Sequence, residues 1–439
     1  MKVNSTRNIE HTANFATAIT KCMPDDGGLY EPSEAADLRR WILYTNENTP
    51  FPSIAGALTS AFIKEEFSPI ICETIATRAF PFAPRLNQLS DNLFTLELFH
   101  TPTGSHKDFG ISFLINSLEV ILTMQGKDAI FLDVTMGELG ASVAKMIQGK
   151  KHVKSVLIYP KGRVRGLKES DYIWNGGNIL PVEVDGNEKD CHKLIRKIFF
   201  NHEFVEKYGL TTANTANIGR LMPQMFFYPF AFSRLKNQVN GDIYYSMATG
   251  NFSNLVAGLY SWRVALPVNG FICPATNEIT TDLKGNCMIM DSLVELKNRE
   301  KADPANPSNI ERLESMFNSN SLLLKHFIFP ATVTEELEKQ ACQELFMKYN
   351  VYADKLTSRA YAATLAQKER LQEDDASVVL IMRDHPSLSS EYIKHNVGET
   401  PEMPENMKQF WKPVQINRPV VSTAEEIMEL IKKVKQNSF

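Results

Sequence analysis

The feature of this sequence that most limits its fold is the alternation of short apolar runs with helical patterns. The runs are rich in β-branched and aromatic residues, and Gly, Asp, Asn or Pro closes each of them. They are DAIFLDVT (128–135), SVLIYP (155–160), ILPVEV (179–184), DIYYSMA (242–248), GFICPA (270–275) and SVVLIM (377–382). Alternating strands and helices predict an α/β fold with parallel-rich sheets that helices cover on both faces.

The length of 439 residues is enough for about two or three domains. Residues 1–95 contain helical patterns such as DLRRWILYT, which predict a mainly helical N-terminal region. We expect residues 96–235 to form one α/β part and residues 236–439 a second one. A charged, turn-rich stretch near 285–345 is interpreted as an insertion, within which a helix starts at Asn309.

Composition and charge favour a protein that acts on a small molecule. The formal charge of -4 comes from interspersed acids and bases, which gives no basis for a nucleic-acid surface. The six cysteines form neither a CxxC pair nor a metal-ligand cluster, and are typical of free thiols in a reducing compartment. The N-terminus lacks an apolar signal region, and no run reaches the roughly 18 apolar residues of a membrane helix. We therefore expect a cytoplasmic protein with no metal site and no membrane partner; the sequence does not predict its oligomeric state.

Ligands of parallel sheets bind beyond the carboxyl ends of strands, so the loops after residues 135, 248 and 382 are the candidates. The loop TGNFSN (249–254) joins the strand DIYYSMA to the helical pattern LVAGLYSWRVA. Free amides at the start of a helix and the positive end of its dipole can hold a phosphate there. Such residues also occur in ordinary turns and helix caps, which is the alternative. Since the chain has neither GxxxxGK[ST] nor GxGxxG, a single phosphate is favoured over a nucleotide.

A lysine lies in the stretch FHTPTGSHKDFG (99–110), just before the apolar helical pattern FGISFLINSLEVIL. At that position Lys107 is near the positive end of a helix dipole and partly removed from water, which favours the neutral amine. A neutral lysine can form a Schiff base with an aldehyde, although an isolated lysine is usually just a solvated side chain. Pyridoxal phosphate needs such a lysine, a phosphate site and a partner for its ring nitrogen. The sequence offers the first two.

The stretch LELFHTPTGSHKDFG (96–110) resembles the LELFHGPTxAFKDFG signature of threonine synthases, pyridoxal-phosphate enzymes of the tryptophan-synthase-β-like fold (fold type II). Other segments resemble this family in the same order, so that the resemblance covers nearly the whole chain. They are NFATAITKCMPDDGGLYEP (14–32), VLIYPKGRV (156–164), GGNILPVEVDGNEKDCHKL (176–194), LTTANTANIGRLMPQ (210–224), TGNFSNLVAG (249–258) and NPSNIERL (306–313).

The resemblance implies a role for each matching residue. Lys107 would be the Schiff-base lysine and would also move protons at the substrate's carbon atoms. Arg220 would bind the substrate's phosphate together with two amides, because its planar guanidinium can meet two phosphate oxygens; without the resemblance a surface ion pair would be the better interpretation. The implied reaction, a carbon–oxygen lyase reaction, converts O-phospho-L-homoserine and water to L-threonine and phosphate. The two side-chain amides that would bind the substrate's phosphate beside Arg220 are those of Asn214 and Asn217. The cofactor's phosphate would be held by Thr249, Gly250, Asn251, Phe252, Ser253 and Asn254.

Four segments depart from the family pattern. The family's TSGDTG is TMGELG (135–140) here, which leaves fewer hydrogen-bond donors for a substrate carboxylate. The family's EPHxA or DPHGA is DKLTS (354–358), without a histidine. In the lysine motif, His106 and Thr101 replace a phenylalanine and a glycine; His106 either contacts the cofactor or packs the loop.

The fourth departure places Arg383 of MRDHP (382–386) where the family's GTAHP has a threonine near the pyridine nitrogen. An arginine partner would favour the unprotonated ring and a weaker electron sink; alternatively Arg383 turns away and pairs with an acid. These departures leave three possibilities: a working threonine synthase, a pyridoxal-phosphate lyase with another amino-acid substrate, or a protein that binds the cofactor without turnover. The first is our prediction, with Arg383 among the cofactor-binding residues.

Overall fold

The computed structural model describes residues 2–34, 36–162, 165–167, 178–239, 241–289, 294–317, 321–412 and 420–436. Parts of two segments quoted above lie outside these ranges: Arg163 and Val164, and Gly176 and Gly177.

Short strands are found along the whole described chain. They are β1 (Lys2–Ser5), β2 (Thr12–Asn14), β3 (Tyr30–Pro32), β4 (Arg85–Ser90), β5 (Leu93–Glu97), β6 (Ala129–Val134), β7 (Val153–Pro160), β8 (Ile179–Val184), β9 (Leu210–Thr211), β10 (Ile243–Ser246), β11 (Gly270–Pro274), β12 (Ile279–Thr281), β13 (Cys287–Ile289), β14 (Ile328–Ala331) and β15 (Ser377–Met382).

Helices separate most of these strands. They are α1 (Phe15–Lys21), α2 (Arg39–Tyr44), α3 (Phe51–Ile63), α4 (Pro69–Ala79), α5 (Lys107–Gln125), α6 (Glu138–Met146), α7 (Glu188–Phe199), α8 (His202–Tyr208), α9 (Ile218–Leu221), α10 (Phe227–Leu235), α11 (Ser253–Arg263), α12 (Ile310–Phe317), α13 (Ser321–Phe327), α14 (Glu335–Tyr349), α15 (Lys355–Ala366), α16 (Lys368–Glu373), α17 (Ser390–Val397), α18 (Glu405–Trp411) and α19 (Ala424–Gln436). Within the described residues, short 3₁₀ helices span Met222–Phe226, Leu296–Asn298 and Pro386–Ser389.

Two parallel-rich sheets form the body of the protein. One has the strand order β14-β11-β10-β15-β5-β4 and is parallel except for the antiparallel pair β4–β5. The other has the order β8-β7-β6-β9 and is parallel throughout. The predicted α/β class is confirmed, and each of the six predicted strands is present within two residues of its predicted ends.

The N-terminal region is mainly helical, but it also contains a small antiparallel sheet in the order β2-β1-β3. The boundary that we placed between residues 95 and 96 lies inside β5, which pairs with β15 near the other end of the chain. The stretch near 285–345 is more than an insertion, since it supplies β14 to the edge of the six-stranded sheet. The partition of the chain into domains stays a prediction.

Helix α5 is the central helix of the structure and carries the candidate lysine at its first position. Most of its residues are buried, including polar ones such as Asp108 and Asn116, as in a helix that protein surrounds on most sides. The ring of Phe109 in its first turn contacts the rings of Phe82, Phe227 and Phe51, with centroids 4.9, 5.0 and 5.4 Å away. Close packing of this kind fixes the start of the helix. None of the helices in the described ranges has the length and apolarity needed to cross a bilayer.

Candidate active site

The candidate site lies where loops from three neighbouring strands meet. Strands β10, β15 and β5 are adjacent and parallel, so their carboxyl ends share one edge of the sheet. The loops that follow them contain, in that order, the TGNFSN segment, Arg383 and Lys107. The loop after β6 joins them from the other sheet, since Oε2 of Glu138 lies 3.9 Å from Nζ of Lys107. The loops predicted to follow residues 135, 248 and 382 therefore converge on this lysine.

The loop that carries Lys107 is held by buried polar contacts. The backbone amide and the hydroxyl of Thr103 donate to the carboxylate of Asp108, both at 2.8 Å. The amide of His106 donates to the carbonyl oxygen of Arg383 at 2.8 Å, which joins the loops after β5 and β15. Lys107 is thus oriented by its loop, while its own side chain remains partly exposed.

The loop TGNFSN has the backbone of an anion site. Gly250 and Phe252 have φ angles of 49° and 63°, in the left-handed region, which is uncommon for a phenylalanine. This conformation leads into the eleven-residue helix α11, whose first-turn amides have no partner within the helix. The side-chain amide of Asn254 is buried, and neither its oxygen nor its nitrogen has a partner in the described part of the chain.

Arg383 is directed at this loop. A Cβ atom built on Gly250 would lie 3.1 Å from Nη1 of Arg383, so the guanidinium lies against the loop backbone. Nε of Arg383 is buried and has no hydrogen-bond partner among the described residues. The guanidinium thus lies beside the predicted phosphate loop. Neither of our two interpretations, a contact with the pyridine nitrogen or a pairing with an acid, is tested by this position, and the contact of Arg383 with the cofactor stays a prediction.

A small polar network surrounds Asp384. The hydroxyl of Ser105 donates to Oδ1 of Asp384 at 2.5 Å, and Nδ1 of His106 lies 3.3 Å from the same oxygen. Burial alone would raise the pKa of Asp384, but the charge of Lys107 and the bond to His106 hold it well below its usual range. Burial lowers the pKa of His106 to about 4 although Asp384 opposes the shift. His106 is therefore a neutral, buried loop residue bonded to Asp384, which favours the packing interpretation.

Arg220 is a buried cation with unused donors. Its side chain is almost fully inaccessible, and neither Nε nor Nη1 has a partner in the described structure. Burial lowers its pKa to about 10, against the opposing effect of the carboxylates of Asp108, Asp384 and Asp133. A Cβ atom on Gly110, one turn after Lys107, would lie 2.1 Å from its Nη1. The guanidinium is therefore packed against the first turn of α5 and is suited to a phosphate.

The two asparagines predicted beside Arg220 have other partners. Nδ2 of Asn214 donates to the carbonyl oxygen of Pro304 at 2.8 Å. Asn217 is fully buried; its Nδ2 donates to the carbonyl oxygen of Ile19 at 2.7 Å, and its Oδ1 accepts from the amide of Gly219 at 2.9 Å. Both side chains shape the segment that leads to Arg220, and their contact with a substrate stays a prediction.

Three residues near this site were not singled out from the sequence. Asp384 and Glu138 were quoted only within aligned segments, and no local pattern shows that both would lie near Lys107. Asn309 was interpreted as the start of a helix, but its amide nitrogen donates to the carbonyl oxygen of Asn251 at 3.0 Å. The resemblance of the segment NPSNIERL (306–313) to the family was the only sign in the sequence that Asn309 has a role at this site.

These residues fit a phosphate-bearing aldehyde such as pyridoxal phosphate. The lysine amine, the backbone amides at the start of α11, the unpaired side-chain amide of Asn254 and the guanidinium of Arg383 all lie on joined loops. Unpaired buried polar groups are rare in folded proteins, and their concentration here is typical of a ligand site.

Comparisons with known proteins find relatives over most of this chain. Residues 76–384 match the family model described as pyridoxal-phosphate dependent enzyme, and residues 2–80 match the model described as threonine synthase N terminus. The chain is similar to the threonine synthase of Escherichia coli, at 30% identity over 412 residues that cover 93% of this chain and 94% of that protein. It is also 30% identical to the threonine synthase of Haemophilus influenzae over 325 residues, 73% of this chain and 75% of the relative.

Solved structures show the same fold. The crystal structure of threonine synthase from Escherichia coli superposes with a TM-score of 0.79 at 26% identity and covers 99% of this chain and 100% of its own. The yeast threonine synthase superposes with a TM-score of 0.80 at 19% identity, covering 100% of this chain and 98% of its own. The predicted fold type II architecture is confirmed.

Proposed function

We propose that this chain, which belongs to the threonine synthase family of pyridoxal-phosphate-dependent enzymes, converts O-phospho-L-homoserine and water to L-threonine and phosphate. Membership of this family supports pyridoxal phosphate as the cofactor and a lyase reaction as the chemistry. The alternatives, a lyase with another substrate or a protein that binds cofactor without turnover, are not favoured by these comparisons.

The observation that best supports a phosphorylated substrate is the buried guanidinium of Arg220. A buried cation without a paired carboxylate is unfavourable unless an anion completes its surroundings. The guanidinium lies against the first turn of α5, which begins at Lys107. This closeness fits the substrate, whose phosphate is only a few bonds from the carbon atoms that react. The fork of the guanidinium can donate two hydrogen bonds to one phosphate group.

The cofactor would be held covalently by Nζ of Lys107 and through its phosphate by the amides of residues 249–254, with Arg383 beside the same loop. When bound, it supplies an electron sink for negative charge that develops at the substrate's Cα. Lys107 would take the proton from Cα and move protons at Cβ. Between these transfers Glu138, at 3.9 Å, stabilises the protonated lysine.

Arg220 holds the substrate's phosphate and then the phosphate that leaves from Cγ. The substrate's carboxylate lies at the loop 135–140, where helix α6 begins. There the hydroxyl of Thr135 accepts from the amides of Gly137 and Gly140, at 3.0 and 2.8 Å. The side chain of Leu139 packs against the hydrophobic core. The other backbone amides of the loop would then replace the hydroxyl donors that the sequence lacks.

The test is a comparison of the wild-type protein with Lys107→Ala. Wild-type protein should develop visible absorbance with pyridoxal phosphate and release phosphate and threonine in equal amounts from O-phosphohomoserine. Lys107→Ala should lose both properties, while Lys197→Ala, which removes a surface lysine paired with Glu425, should keep them. Phosphate release without threonine would contradict the proposed reaction, and a colourless wild-type protein would contradict the cofactor site.

A further inference from the structure

Arg312 is a fully buried arginine whose four hydrogen bonds in the described structure all go to neutral acceptors, while the carboxylates of Glu31 and Glu311 act on it without a direct bond. Its Nε donates to the carbonyl oxygen of Tyr30 at 2.8 Å, and its Nη2 to that of Ala216 at 2.9 Å. Its Nη1 donates to the carbonyl oxygen of Thr215 at 2.6 Å and to Oδ1 of Asn309 at 2.5 Å. One side chain thus joins the N-terminal sheet, the substrate segment around residues 214–220 and the start of α12.

Asn309 continues this connection to the cofactor loop. Its Oδ1 is fixed by Arg312, which leaves its Nδ2 to donate to Oγ1 of Thr215 at 3.0 Å and to the carbonyl oxygen of Asn251 at 3.0 Å. The backbone amide of Asn309 donates to the same carbonyl oxygen at 3.0 Å. Nδ2 of Asn251 completes the ring by donating to Oγ1 of Thr215 at 2.9 Å.

These contacts stabilise the fold less than apolar packing would, because the guanidinium loses its hydration when it is buried. A charged side chain that is removed from water and meets only neutral acceptors loses more hydration than a packed apolar side chain would, so stability alone does not explain it. The planar fork instead sets the direction of four bonds at once, which an apolar side chain cannot do. The guanidinium thereby orients the side-chain amide of Asn309. This amide lies between the loop 249–254 and the segment 214–220, which would hold the cofactor's phosphate and the substrate's phosphate.

We propose that Asn309, oriented by Arg312, is a positioning residue that fixes the cofactor's phosphate loop against the substrate-phosphate segment. The identity of the two ligands rests on the proposed function. Asn309 touches neither ligand: it holds the carbonyl side of Asn251, so that the loop's amides face the cofactor, and it holds Thr215 five residues before Arg220. Loss of this contact should weaken both binding sites together.

Two substitutions separate this role from a merely structural one. Asn309→Ala removes every side-chain bond of the residue. Asn309→Asp keeps an acceptor for Arg312 and strengthens that pair, but its side chain has no donor for Asn251 and Thr215, so that only the backbone amide of residue 309 still donates to Asn251. Asn116→Ala is the control, because Asn116 is a buried asparagine of α5 with comparable bonds, 2.8 Å to the carbonyl oxygen of Ser112 and 2.8 Å from Nζ of Lys150.

Three quantities would be measured for each protein: the melting temperature, the dissociation constant of pyridoxal phosphate for the apoprotein, and that of L-2-amino-5-phosphonopentanoate for the loaded protein. In this analogue a methylene replaces the ester oxygen, so phosphate cannot leave. Asn309→Ala and Asn309→Asp should each weaken both affinities by about ten-fold or more, as expected for lost hydrogen bonds between fixed partners. Asn116→Ala should change both affinities by less than about two-fold even where its melting temperature falls as far.

The inference is overturned if Asn309→Asp binds both ligands as wild type does, because satisfying Arg312 would then be the residue's whole role. It is also overturned if the affinities of all three variants fall in proportion to their melting temperatures. A wild-type protein that binds no pyridoxal phosphate would overturn the proposed function as well, and so the two failures are distinguishable.

Discussion

His106 makes the stability of the protein sensitive to acid. Its folded-state pKa is about 4, lowered from an ordinary 6.5 chiefly by burial. As the pH falls through 6.5 the unfolded chain takes up a proton at this residue and the folded protein does not, so acid favours unfolding. His106→Phe, the family's residue, should reduce the loss of unfolding free energy between pH 7 and pH 5 by about 2 kcal/mol.

Urea unfolding at the two pH values measures this difference. His385, whose pKa burial also lowers to about 4, titrates in both proteins and therefore cancels in the comparison. His395→Phe is the control, since His395 is exposed and its removal should leave the acid sensitivity of the wild type in place. An unchanged sensitivity in His106→Phe would contradict a neutral, buried His106.

Arg220 should contribute to substrate affinity far more than an exposed arginine does. Arg220→Lys keeps the charge but loses the two-pronged donor, so we expect KM for O-phosphohomoserine to rise by about 100-fold, the value of one or two lost bonds to a charged group. Steady-state kinetics would measure the rise in KM, and added inorganic phosphate, a competing anion, should inhibit the wild type more strongly than Arg220→Lys. Arg196→Lys is the control, because Arg196 forms a largely exposed pair with Asp303; a KM change below about three-fold in Arg220→Lys would contradict phosphate binding.

At the level of elements, α5 and α9 approach each other so closely that a glycine is required between them. A Cβ atom on Gly110 would lie 2.1 Å from Nη1 of Arg220 and 2.5 Å from its carbonyl oxygen. In an ordinary helix interior Gly→Ala stabilises by about 1 kcal/mol. Gly110→Ala should instead destabilise by about 2–3 kcal/mol, because the backbone of α9 must move, and it should also raise KM for the substrate.

The control for this prediction is Gly126→Ala. Gly126 ends α5 with a φ of 62° and has nothing within 4 Å of a Cβ atom, so only the left-handed backbone opposes the change, at about 1–2 kcal/mol. That variant should be mildly destabilised with an unchanged KM. A stabilised Gly110→Ala protein would contradict the close approach, and denaturant unfolding of the two variants decides the sign.

The strands and the loops that follow them could be predicted from the sequence because their signals are local. Apolar runs such as SVVLIM are strands with nearly the predicted ends, and Lys107 lies at the helix start that its neighbours indicate. What could not be predicted depends on pairings distant along the chain. Arg383 faces Gly250 because β15 lies beside β10, and Asn309, just before α12, bonds to Asn251, which lies 58 residues earlier in the chain.

For the whole molecule, loops from both large sheets meet at the proposed cofactor site, and cofactor binding should therefore stabilise the entire chain. A ligand that binds only the folded protein adds about 2.7 kcal/mol at a free concentration of 100 times its dissociation constant. With an unfolding entropy of about 2.1 cal/mol/K per residue, a chain of 439 residues should melt about 3 °C higher. Differential scanning calorimetry of apoprotein with and without pyridoxal phosphate measures the shift.

The origin of this stabilisation can be divided between the two loops. Lys107→Ala cannot hold the cofactor covalently but keeps the loop 249–254, so at the same cofactor concentration its melting temperature should rise by less than that of the wild type. Pyridoxal without phosphate should give the wild type a smaller shift than pyridoxal phosphate, because the amides at the start of α11 then have no anion. Each of these loops should make its own contribution to the binding free energy. Equal shifts for the two compounds would therefore contradict phosphate binding by residues 249–254, and a shift in Lys107→Ala equal to that of the wild type would contradict a covalent bond to Lys107.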